Sequence, residues 1–389
     1  MKLLILSFYY APDLGAGAFR TAALVEQLAH AKPKDMQIDV ITTQPNRYVS
    51  YQAQAPEIEQ YDGVRVRRIA VPQHSTGMVA QSLSFAHFML KVRQMAKQEK
   101  YDVVYATASR LLIATLGAWV AKCQKACLYL DIRDLFVDTI GDVFPPFLSK
   151  MTQPIFARIE QWTFTKAQHM NLVSKGFAPY IQQRYPEKKL SFYTNGIDKD
   201  FLRYSFNTEN KASEQFVVLY AGNIGEGQGL ERIIPQLAKR LEDCARFIII
   251  GDGGRKEPLQ IAVQDAQCVN VEFMPPMSRI DLIEAYQQAD VLFLHLNDYA
   301  AFRKVLPSKI FEYAATGKPI WAGVAGHAAK FMQEEIPNAA VFPPCDVETA
   351  VQELSTLQFG AQDRPVFVEK YQRDVIMKTM ATELLSYCT

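Results

Sequence analysis

The fold is decided at the stretch Phe216-Val217-Val218-Leu219-Tyr220-Ala221-Gly222-Asn223-Ile224-Gly225, where a short apolar run ends in a glycine-rich loop. The N-terminus has the same order, because the apolar run Lys2–Ser7 leads into a loop that contains Gly15 and Gly17. Short apolar runs that alternate with helical patterns predict parallel strands that are buried on both faces. Two such starts in a chain of 389 residues predict two doubly wound, Rossmann-like α/β domains.

The same alternation of patterns predicts where the domains begin and end. We place the first domain at residues 1–206 and the second at 215–365, with the polar stretch 207–214 as the linker. The helical pattern over about residues 366–389 predicts a last helix. Proteins with two such domains bind ligands in the crevice at the carboxyl ends of the strands. We therefore expect the loops that follow strands to carry the chemistry.

Composition excludes several classes of protein. Lysine plus arginine number 42 and aspartate plus glutamate 41, so the net charge of +1 gives no reason to expect a nucleic acid as partner. Six scattered cysteines without zinc-ligand spacing are typical of reduced thiols in the cytosol. The longest uncharged apolar run, Leu111–Ala121, is about half the length needed to span a bilayer. We therefore expect a cytoplasmic protein that is soluble or attached to one face of a membrane.

The loop after the first apolar run contains Gly15, Gly17 and Arg20. Two glycines let the backbone approach a ligand closely, and the amino end of the following helix offers N–H groups to an anion. Arg20 could reach a phosphate from the first turns of that helix. The third glycine of the dinucleotide fingerprint is missing, and an ordinary strand-to-helix turn is the alternative.

The second half has two further glycine-rich loops after strands. Gly222 and Gly225 belong to a run of four glycines in eight residues, a pattern that accommodates phosphates. The turn Gly251-Asp252-Gly253 follows the next strand, and Asp252 could either cap a helix or touch a ligand. A flexible turn is the alternative interpretation of the first of these loops.

The most specific string is Pro307-Ser308-Lys309-Ile310-Phe311-Glu312-Tyr313-Ala314-Ala315-Thr316-Gly317-Lys318-Pro319. Pro307 and Ser308 predict the start of a helix that the Ser308 side chain caps. Lys309 supplies a mobile positive charge for a diphosphate, and Glu312 a carboxylate that can accept two ribose hydroxyls. The alternative is a surface helix that happens to carry a lysine and a glutamate.

Together, this string, the loop Tyr220–Gly225 and the turn Gly251–Gly253 resemble glycosyltransferase family 4, most closely the branch that builds bacterial O-antigens, capsules and other surface glycans. The resemblance implies the GT-B fold, with two facing Rossmann-like domains and a C-terminal helix that crosses back onto the first. It also implies a nucleotide-sugar donor, a UDP-sugar in our interpretation, held mainly by the second domain. A hexose or N-acetylhexosamine is then transferred, with retention, to a glycan or lipid-linked saccharide.

Some of the family's donor-binding positions match this chain and others differ. Glu312 matches the ribose-binding glutamate, whereas Lys304 stands where many members carry a second glutamate. Asn223 and Gln228 stand where the glycine-rich loop usually holds an arginine and a lysine for the diphosphate. The resemblance implies that Lys309 supplies the missing charge, together with Arg303 or Arg20. Met277 and Arg279 lie where members hold the base with main-chain groups.

The string Asp131-Ile132-Arg133-Asp134 follows a predicted strand of the first domain and is a candidate acceptor site. Arg133 stands where many family members have a histidine, so no histidine base is expected. Asp131 and Asp134 are candidates to orient or deprotonate the acceptor hydroxyl. Arg133 could bind a phosphate of the acceptor or donor, and Asp134 could instead be its structural ion-pair partner. We expect no metal and no cofactor, since no Asp-x-Asp signature lies in a loop that should face the donor.

Three other functions remain open at this point. A sugar-nucleotide 2-epimerase shares the fold and needs no acceptor. A non-catalytic, nucleotide-binding scaffold would fit the missing glutamate and phosphate-loop cations, and a dehydrogenase is disfavoured by the incomplete glycine fingerprint. His295 ends a strand near the crevice and is expected to be structural.

A membrane-facing patch is predicted from aromatic and basic residues in the first domain. It comprises the stretch Val143–Met151 with Arg158 and Lys166, and Phe88, Lys91, Arg93 and Lys97 of a neighbouring helical pattern. Ordinary helices with a core side and a solvent side would have the same composition.

Overall fold

The computed structural model describes residues 1–46, 54–71, 78–143, 145–206 and 215–388. These residues form two compact units: Met1–Asn195 together with the C-terminal helix, and Gly196–Gln372. The predicted linker 207–214 lies outside the described residues. The division between the units falls earlier, between Asn195 and Gly196.

The first unit is built on a sheet in the strand order β3-β4-β2-β1-β5-β6-β7-β8. β3 at one edge is antiparallel to β4, and the other neighbouring strands are parallel. Leu3 to Leu6 are fully buried, as a strand covered on both faces requires. The strands are β1 Lys2–Leu6, β2 Gln37–Thr43, β3 Ile58–Tyr61, β4 Val64–Ile69, β5 Val103–Ala108, β6 Cys127–Ile132, β7 His169–Leu172 and β8 Lys189–Ser191.

Helices connect these strands and cover the sheet. The first six are α1 Ala16–Ala31, α2 Met78–Ala96, α3 Leu111–Gln124, α4 Phe136–Val143, α5 Pro146–Lys166 and α6 Ala178–Arg184. The strand order reverses direction between β1 and β5, which makes the sheet doubly wound. The loops after β1 and β6 therefore lie at the carboxyl edge, where the sequence predicts the acceptor-side residues.

The second unit has a parallel sheet in the order β11-β10-β9-β12-β13-β14. Neighbouring residues of one strand contribute to different apolar clusters, Val218 to one and Leu219 to the other, so both faces of this sheet are covered. Its strands are β9 Phe216–Asn223, β10 Ala245–Asp252, β11 Val271–Met274, β12 Val291–His295, β13 Ile320–Gly323 and β14 Ala339–Phe342. Its helices are α7 Leu230–Arg240, α8 Lys256–Asp265, α9 Arg279–Gln288, α10 Lys309–Ala315, α11 Gly326–Glu335, α12 Val347–Leu354 and α13 Pro365–Tyr371.

The C-terminal helix returns to the first unit, which confirms the predicted crossover. This helix, α14 Arg373–Ser386, packs along α1 and contributes Met377, Met380 and Leu384 to the core around β1. The single helix predicted over about residues 366–389 is wrong in one respect. Gln372 has an extended ψ of 126°, which ends α13 within the second unit before α14 begins.

Candidate functional site

The carboxyl edge of the second sheet brings glycine-rich loops into backbone contact. A Cβ on Gly251 would lie 1.9 Å from the carbonyl oxygen of Gly222, and one on Gly253 would lie 2.4 Å from that of Ile224. Gly251 also has a φ of +149°, which L side chains rarely adopt. The loops after β9 and β10 can therefore approach each other only because these positions are glycine. Asp252 accepts a hydrogen bond from Gly253 N–H, and the residue at the N-cap of α8 is Arg255.

The two amides of the first loop bind each other. Asn223 Nδ2 donates to Gln228 Oε1 at 3.0 Å, and the same oxygen accepts from Gly225 N–H at 3.2 Å. The family that the sequence resembles usually carries cations at these two positions. In this chain, the two neutral amides at these positions bind each other instead.

Lys309 lies close to this loop, with its Cε 3.6 Å from where a Cβ of Gly222 would stand. Arg255 pairs with Glu226 of the loop, and Lys256 Nζ donates to Gly251 O at 3.1 Å.

Glu312 is buried between two cations of the second unit. Its carboxylate accepts from Lys309 Nζ at 2.9 Å on one oxygen and from Arg279 Nη1 at 3.2 Å on the other. Burial opposes the charged form of Lys309, yet the nearby Glu312 carboxylate outweighs it and leaves the pKa of Lys309 raised. Lys309 is therefore charged at neutral pH. Lys309 also donates to the Tyr286 hydroxyl at 3.1 Å.

Arg279 connects Glu312 to a residue that the sequence analysis did not select. Its Nη2 donates to Asp198 Oδ2 at 2.7 Å, and its guanidinium carbon lies 4.5 Å from the centre of the Phe201 ring. The Asn195-Gly196 turn just before Asp198 was the available local signal, but nothing in the sequence links that turn to Arg279. The Arg279 side chain contacts Glu312, Asp198 and Phe201. Its predicted main-chain role toward a base stays a prediction. Met277 is partly buried against the core beside it.

The predicted cap of α10 is wrong. Ser308 has helical backbone angles, φ −63° and ψ −27°, and its side chain makes no capping hydrogen bond. A capping side chain normally requires an extended residue at that position, so the helical conformation places the hydroxyl away from the free amides. Instead, the carbonyl oxygens of Pro307 and Ser308 accept from Ile310 and Phe311 N–H in the first turn.

In the first unit, Arg20 and Asp131 form a fully buried ion pair, which corrects two predicted roles. Arg20 donates to both carboxylate oxygens, at 2.8 and 3.0 Å, and to the carbonyl oxygens of Tyr193 and Thr194. Tyr105 and Asn171 also donate to Asp131, and no part of either side chain of the pair is exposed. Arg20 therefore does not reach toward a phosphate, and Asp131 is not placed to accept a substrate proton.

The charge state of this pair follows from its geometry. Burial alone would raise the pKa of the Asp131 carboxyl, but the Arg20 guanidinium outweighs burial and holds that pKa below its usual range. A carboxylate that is ionised and accepts four hydrogen bonds has a structural role. It ties α1 to β6, β5 and β7 beneath the loops at the carboxyl edge.

Arg133 is a cation at this edge with unsatisfied donors. Its Nε and Nη1 atoms are buried and have no hydrogen-bond partner in the described part of the chain, and Nη1 lies 2.8 Å from where a Cβ of Gly17 would stand. Burial lowers the pKa of the Arg133 guanidinium, while Asp131 and Asp134 favour its charge. Gly15 precedes α1 without a side-chain cap, and the first turn of α1 contains no acidic residue. Asp134 is exposed beside it.

His295 is structural, as expected. It is fully buried, its Nδ1 lies 2.6 Å from Gln228 O, and its Nε2 accepts from Cys345 N–H at 3.0 Å. Burial lowers its pKa to about 4, so the ring is neutral at physiological pH. Within the described ranges, no three histidine, cysteine, aspartate or glutamate side chains lie together as metal ligands.

The predicted membrane patch is only partly at the surface. Phe88 is fully buried and therefore does not belong to it, because it packs beneath Phe8 in the core. Lys91 and Arg93 are exposed on α2, Lys97 is exposed just after it, and Arg158 and Lys166 are exposed on α5. Of the stretch Val143–Met151, residue 144 lies outside the described residues. No helix within the described part of the chain is both long and apolar enough to cross a membrane.

Two family models match the chain, one over each unit. Residues 15–196 match the glycosyl transferase 4-like domain, and residues 204–365 match the glycosyl transferases of group 1. The putative colanic acid biosynthesis glycosyl transferase WcaI of Escherichia coli strain K12 is 25% identical over 346 residues, which cover 82% of each chain.

Solved structures with the same fold include two with full-length similarity. Alr3699/HepE of Anabaena, crystallised in complex with UDP and glucose, aligns with a TM-score of 0.67 at 16% identity over 99% of both chains. WaaG, a glycosyltransferase involved in lipopolysaccharide biosynthesis, aligns with a TM-score of 0.66 at 14% identity over 98% of this chain and 95% of its own.

Proposed function

This chain belongs to the glycosyltransferases of group 1 and family 4, and from that membership we propose that it transfers a sugar from a UDP-sugar to a lipid-linked saccharide or growing glycan. The proposed transfer proceeds with retention and serves bacterial surface-polysaccharide synthesis. The putative colanic acid biosynthesis glycosyl transferase WcaI and the structural neighbour involved in lipopolysaccharide biosynthesis support this setting. HepE, solved with UDP and with UDP-glucose, supports UDP as the nucleotide.

The observation that carries the proposal is the Glu312 carboxylate, buried between Lys309 and Arg279 beside the glycine-rich loop. In the proposed complex, two ribose hydroxyls donate to this carboxylate, whose oxygens accept from Lys309 and Arg279 in the structure. Lys309 fixes the carboxylate from one side and lies against Gly222, next to the place we assign to the diphosphate.

The leaving nucleoside diphosphate carries the charge that this site must stabilise. Lys309 lies against Gly222, and Lys256 Nζ donates to the carbonyl oxygen of Gly251 at 3.1 Å. The Asn223–Gln228 amide pair can donate hydrogen bonds but adds no charge. We infer that Lys309 contributes a larger share of diphosphate binding here than in relatives whose loops contain two cations.

On the acceptor side, we propose Arg133 as the group that binds an anionic part of a substrate. Its buried Nε and Nη1 have no partner among the described residues, and the uncapped amino end of α1 at Gly15 adds N–H groups nearby. Asp134 is the remaining candidate to orient the acceptor hydroxyl, since Asp131 is committed to Arg20. A lipid-linked acceptor would also bring the enzyme to the inner face of the cytoplasmic membrane as a peripheral protein.

Binding of nucleotides tests the donor assignment. Thermal unfolding of the full chain is followed with UDP, GDP and their sugar derivatives, because a ligand that binds only the folded state raises the melting temperature. We expect UDP and one UDP-sugar to stabilise the protein. Glu312→Ala and Lys309→Ala should abolish both this stabilisation and sugar transfer, whereas Lys330→Ala, at an exposed position of the same unit, should change neither. Full activity in both site variants would refute the assignment, and turnover of a nucleotide sugar without any acceptor would favour the epimerase.

A further inference from the structure

The loop after β9 lies at the point where the second sheet changes direction. The strand order β11-β10-β9-β12-β13-β14 reverses between β9 and β12, and sheets of this kind bind ligands where neighbouring strands diverge. β9 pairs with β12 at Val218 and Leu219 but continues to Asn223, so its last residues have left the ladder with β12. On this side, the loop Gly225–Gly229 must therefore be held by contacts other than strand pairing.

Three consecutive carbonyl oxygens of this loop accept hydrogen bonds from His295, the last residue of β12, and from Asn297 just after it. Asn297 Nδ2 donates to Glu226 O at 3.1 Å, and Asn297 N–H donates to Gly227 O at 2.8 Å. His295 Nδ1 lies 2.6 Å from Gln228 O. Two residues thus fix three successive peptide groups of the loop.

The hydrogen bonds of His295 fix the tautomer of its ring. Cys345 N–H donates to Nε2 at 3.0 Å, so Nε2 carries the lone pair and Nδ1 carries the proton that is donated to Gln228 O. A Cβ on Gly323 would lie 2.2 Å from the ring carbon Cδ2, so the ring lies directly against the backbone of β13. His295 therefore donates to the loop from a fixed position.

The direction of these carbonyl groups also decides where the following amides point. In a trans peptide, the C=O of one residue and the N–H of the next point in opposite directions, and this loop contains no cis bond. The N–H groups of Gly227, Gln228 and Gly229 therefore point away from β12. Gln228 N–H donates to Gly225 O at 3.0 Å, whereas those of Gly227 and Gly229 meet no acceptor among the described residues. Successive amides that face one side form a concave group that binds anions.

The charged side chains that contact this loop compensate each other. Glu226 pairs with Arg255 Nη2 and accepts a hydrogen bond from the Tyr299 hydroxyl. Arg255 Nε also lies 3.2 Å from Glu231 of α7, and Arg232 Nη2 lies 3.9 Å from Glu226. Two carboxylates thus face two guanidinium groups, so this set adds little net charge at the loop. The direction of the loop amides therefore matters for the binding of an anion.

We propose that His295 and Asn297 are positioning residues for the diphosphate of the donor. They hold the carbonyl groups of the loop Gly225–Gly229 toward β12, which turns the amides of Gly227 and Gly229 toward the phosphate groups. Neither side chain touches the ligand, since each acts through the backbone of the loop. The inference rests on the proposed function, because it assigns the nucleotide-sugar diphosphate to this loop. The ribose, which we assign to Glu312, does not depend on these two residues.

Binding of ligands that differ in their phosphates tests the proposal. Dissociation constants of uridine and UDP are measured with the full chain, by calorimetry for UDP and by ligand-observed NMR for uridine. His295→Phe keeps a planar ring but has no donor for Gln228 O, and Asn297→Ala removes the side-chain donor for Glu226 O. Each variant should weaken UDP binding roughly tenfold and uridine binding by less than about twofold. His295→Asn, whose amide nitrogen can replace Nδ1 as a donor, should recover part of the UDP affinity.

Trp321→Phe is the matched control for the loss of a buried hydrogen bond in the same unit. Trp321 is fully buried, and its Nε1 donates to Ala350 O of α12 at 2.9 Å rather than to the loop. This variant should lower the melting temperature, as His295→Phe does, but it should leave the UDP dissociation constant unchanged. A purely structural role of His295 would give the same result for both variants.

The proposal is overturned if His295→Phe and Asn297→Ala bind UDP like the wild type, or if they lose uridine affinity as strongly as UDP affinity. If His295→Phe does not fold, Asn297→Ala decides, because its main-chain N–H still donates to Gly227 O. Equal UDP binding by the wild type and the variants overturns the positioning role and leaves the donor assignment in place. A wild-type protein that binds no UDP refutes the donor assignment, and the positioning role with it.

Discussion

At the scale of single residues, the same kind of side chain has opposite roles in the two units. Arg20 and Asp131 are charged, fully buried and satisfied by each other and by their neighbours. Glu312 is also buried, but it is held by cations beside a glycine-rich loop that could admit a ligand. A buried charged side chain whose partners all come from the protein indicates a structural role. A buried charged side chain beside a glycine-rich loop indicates a binding site.

The Arg20–Asp131 pair yields a prediction about stability. Asp131→Asn keeps the shape of the side chain but leaves the buried Arg20 charge without its counterion, which should cost roughly 3–5 kcal/mol of unfolding free energy. Denaturant unfolding measures this loss. The double variant Arg20→Met, Asp131→Leu should recover part of it, because Arg20 no longer leaves an unpaired charge in the core.

The exposed pair Arg303–Asp298 is the matched control, and Arg303→Met should change stability by less than about 1 kcal/mol. If Asp131→Asn abolished sugar transfer at unchanged stability, Asp131 would have a catalytic role and our correction would be wrong.

At the scale of elements, the buried Glu160 carboxyl of α5 lies against Tyr180 of α6 and against Tyr185, the residue that follows α6. Tyr180 donates to Glu160 Oε1 at 2.8 Å, and Tyr185 lies at 3.5 Å from the same oxygen. Burial raises the pKa of Glu160 to about 7. The folded state therefore binds more protons than the unfolded state between about pH 4.5 and 7, and stability from this group is lost as the pH rises through that window.

Glu160→Gln should remove this dependence. The neutral amide keeps an oxygen for Tyr180, so the variant should match the wild type at about pH 5 and exceed it by roughly 2–3 kcal/mol at about pH 8. Unfolding free energies at the two pH values are the measurement. Parallel pH profiles for the two proteins would show that Glu160 does not titrate in this range.

Elements also show which local signals were informative. The hairpin of β3 and β4 was not predicted, although Asp62-Gly63 has positive φ values of 46° and 73° and is a standard hairpin signal. β3 is short and largely exposed, so its apolar pattern is weak. The helices α4, α11 and α12 were not predicted either.

At the scale of the whole molecule, the chain returns to its first unit at the end. Glu383 of α14 accepts from Tyr129 and Ser191 at 2.7 Å each, and the Tyr387 hydroxyl lies 2.8 Å from His169 Nδ1. The apolar side of α14 completes the core beside α1. Folding of the first unit therefore depends on the last residues of the chain.

Deletion of residues 373–389 should expose this dependence. Hydrogen exchange of the α1 amides should accelerate strongly, because α1 loses the helix that covers it, while the amides of β9 and β10 should be unaffected. A point variant, Glu383→Gln, serves as the control that keeps the apolar contacts and should have a much smaller effect. Unchanged protection of α1 in the deletion would contradict the role that we assign to α14.

Part of the candidate site could be predicted from sequence and part could not. Lys309 and Glu312 are three residues apart in a helix, so local geometry alone places them on one side, and the structure joins them at 2.9 Å. Asp198 and Arg279 are 81 residues apart, and Arg20 and Asp131 are 111 apart. No periodicity of the sequence predicts such pairs, since the two residues of each pair come from distant segments of one unit.

The sequence by itself determined the two α/β units, the glycines at the carboxyl edges of their strands and the Lys309–Glu312 pair. These features are periodic or local, and backbone geometry is the same wherever they occur. Only the tertiary structure decided which charged side chains are paired in the interior and which keep unsatisfied hydrogen-bond donors. Asp131 and Arg133, two residues apart, show the two outcomes: Asp131 is paired with Arg20, and Arg133 has buried donors without a partner among the described residues. The reason is that burial and counterions come from distant segments, so the free energy of a charge depends on the whole fold around it.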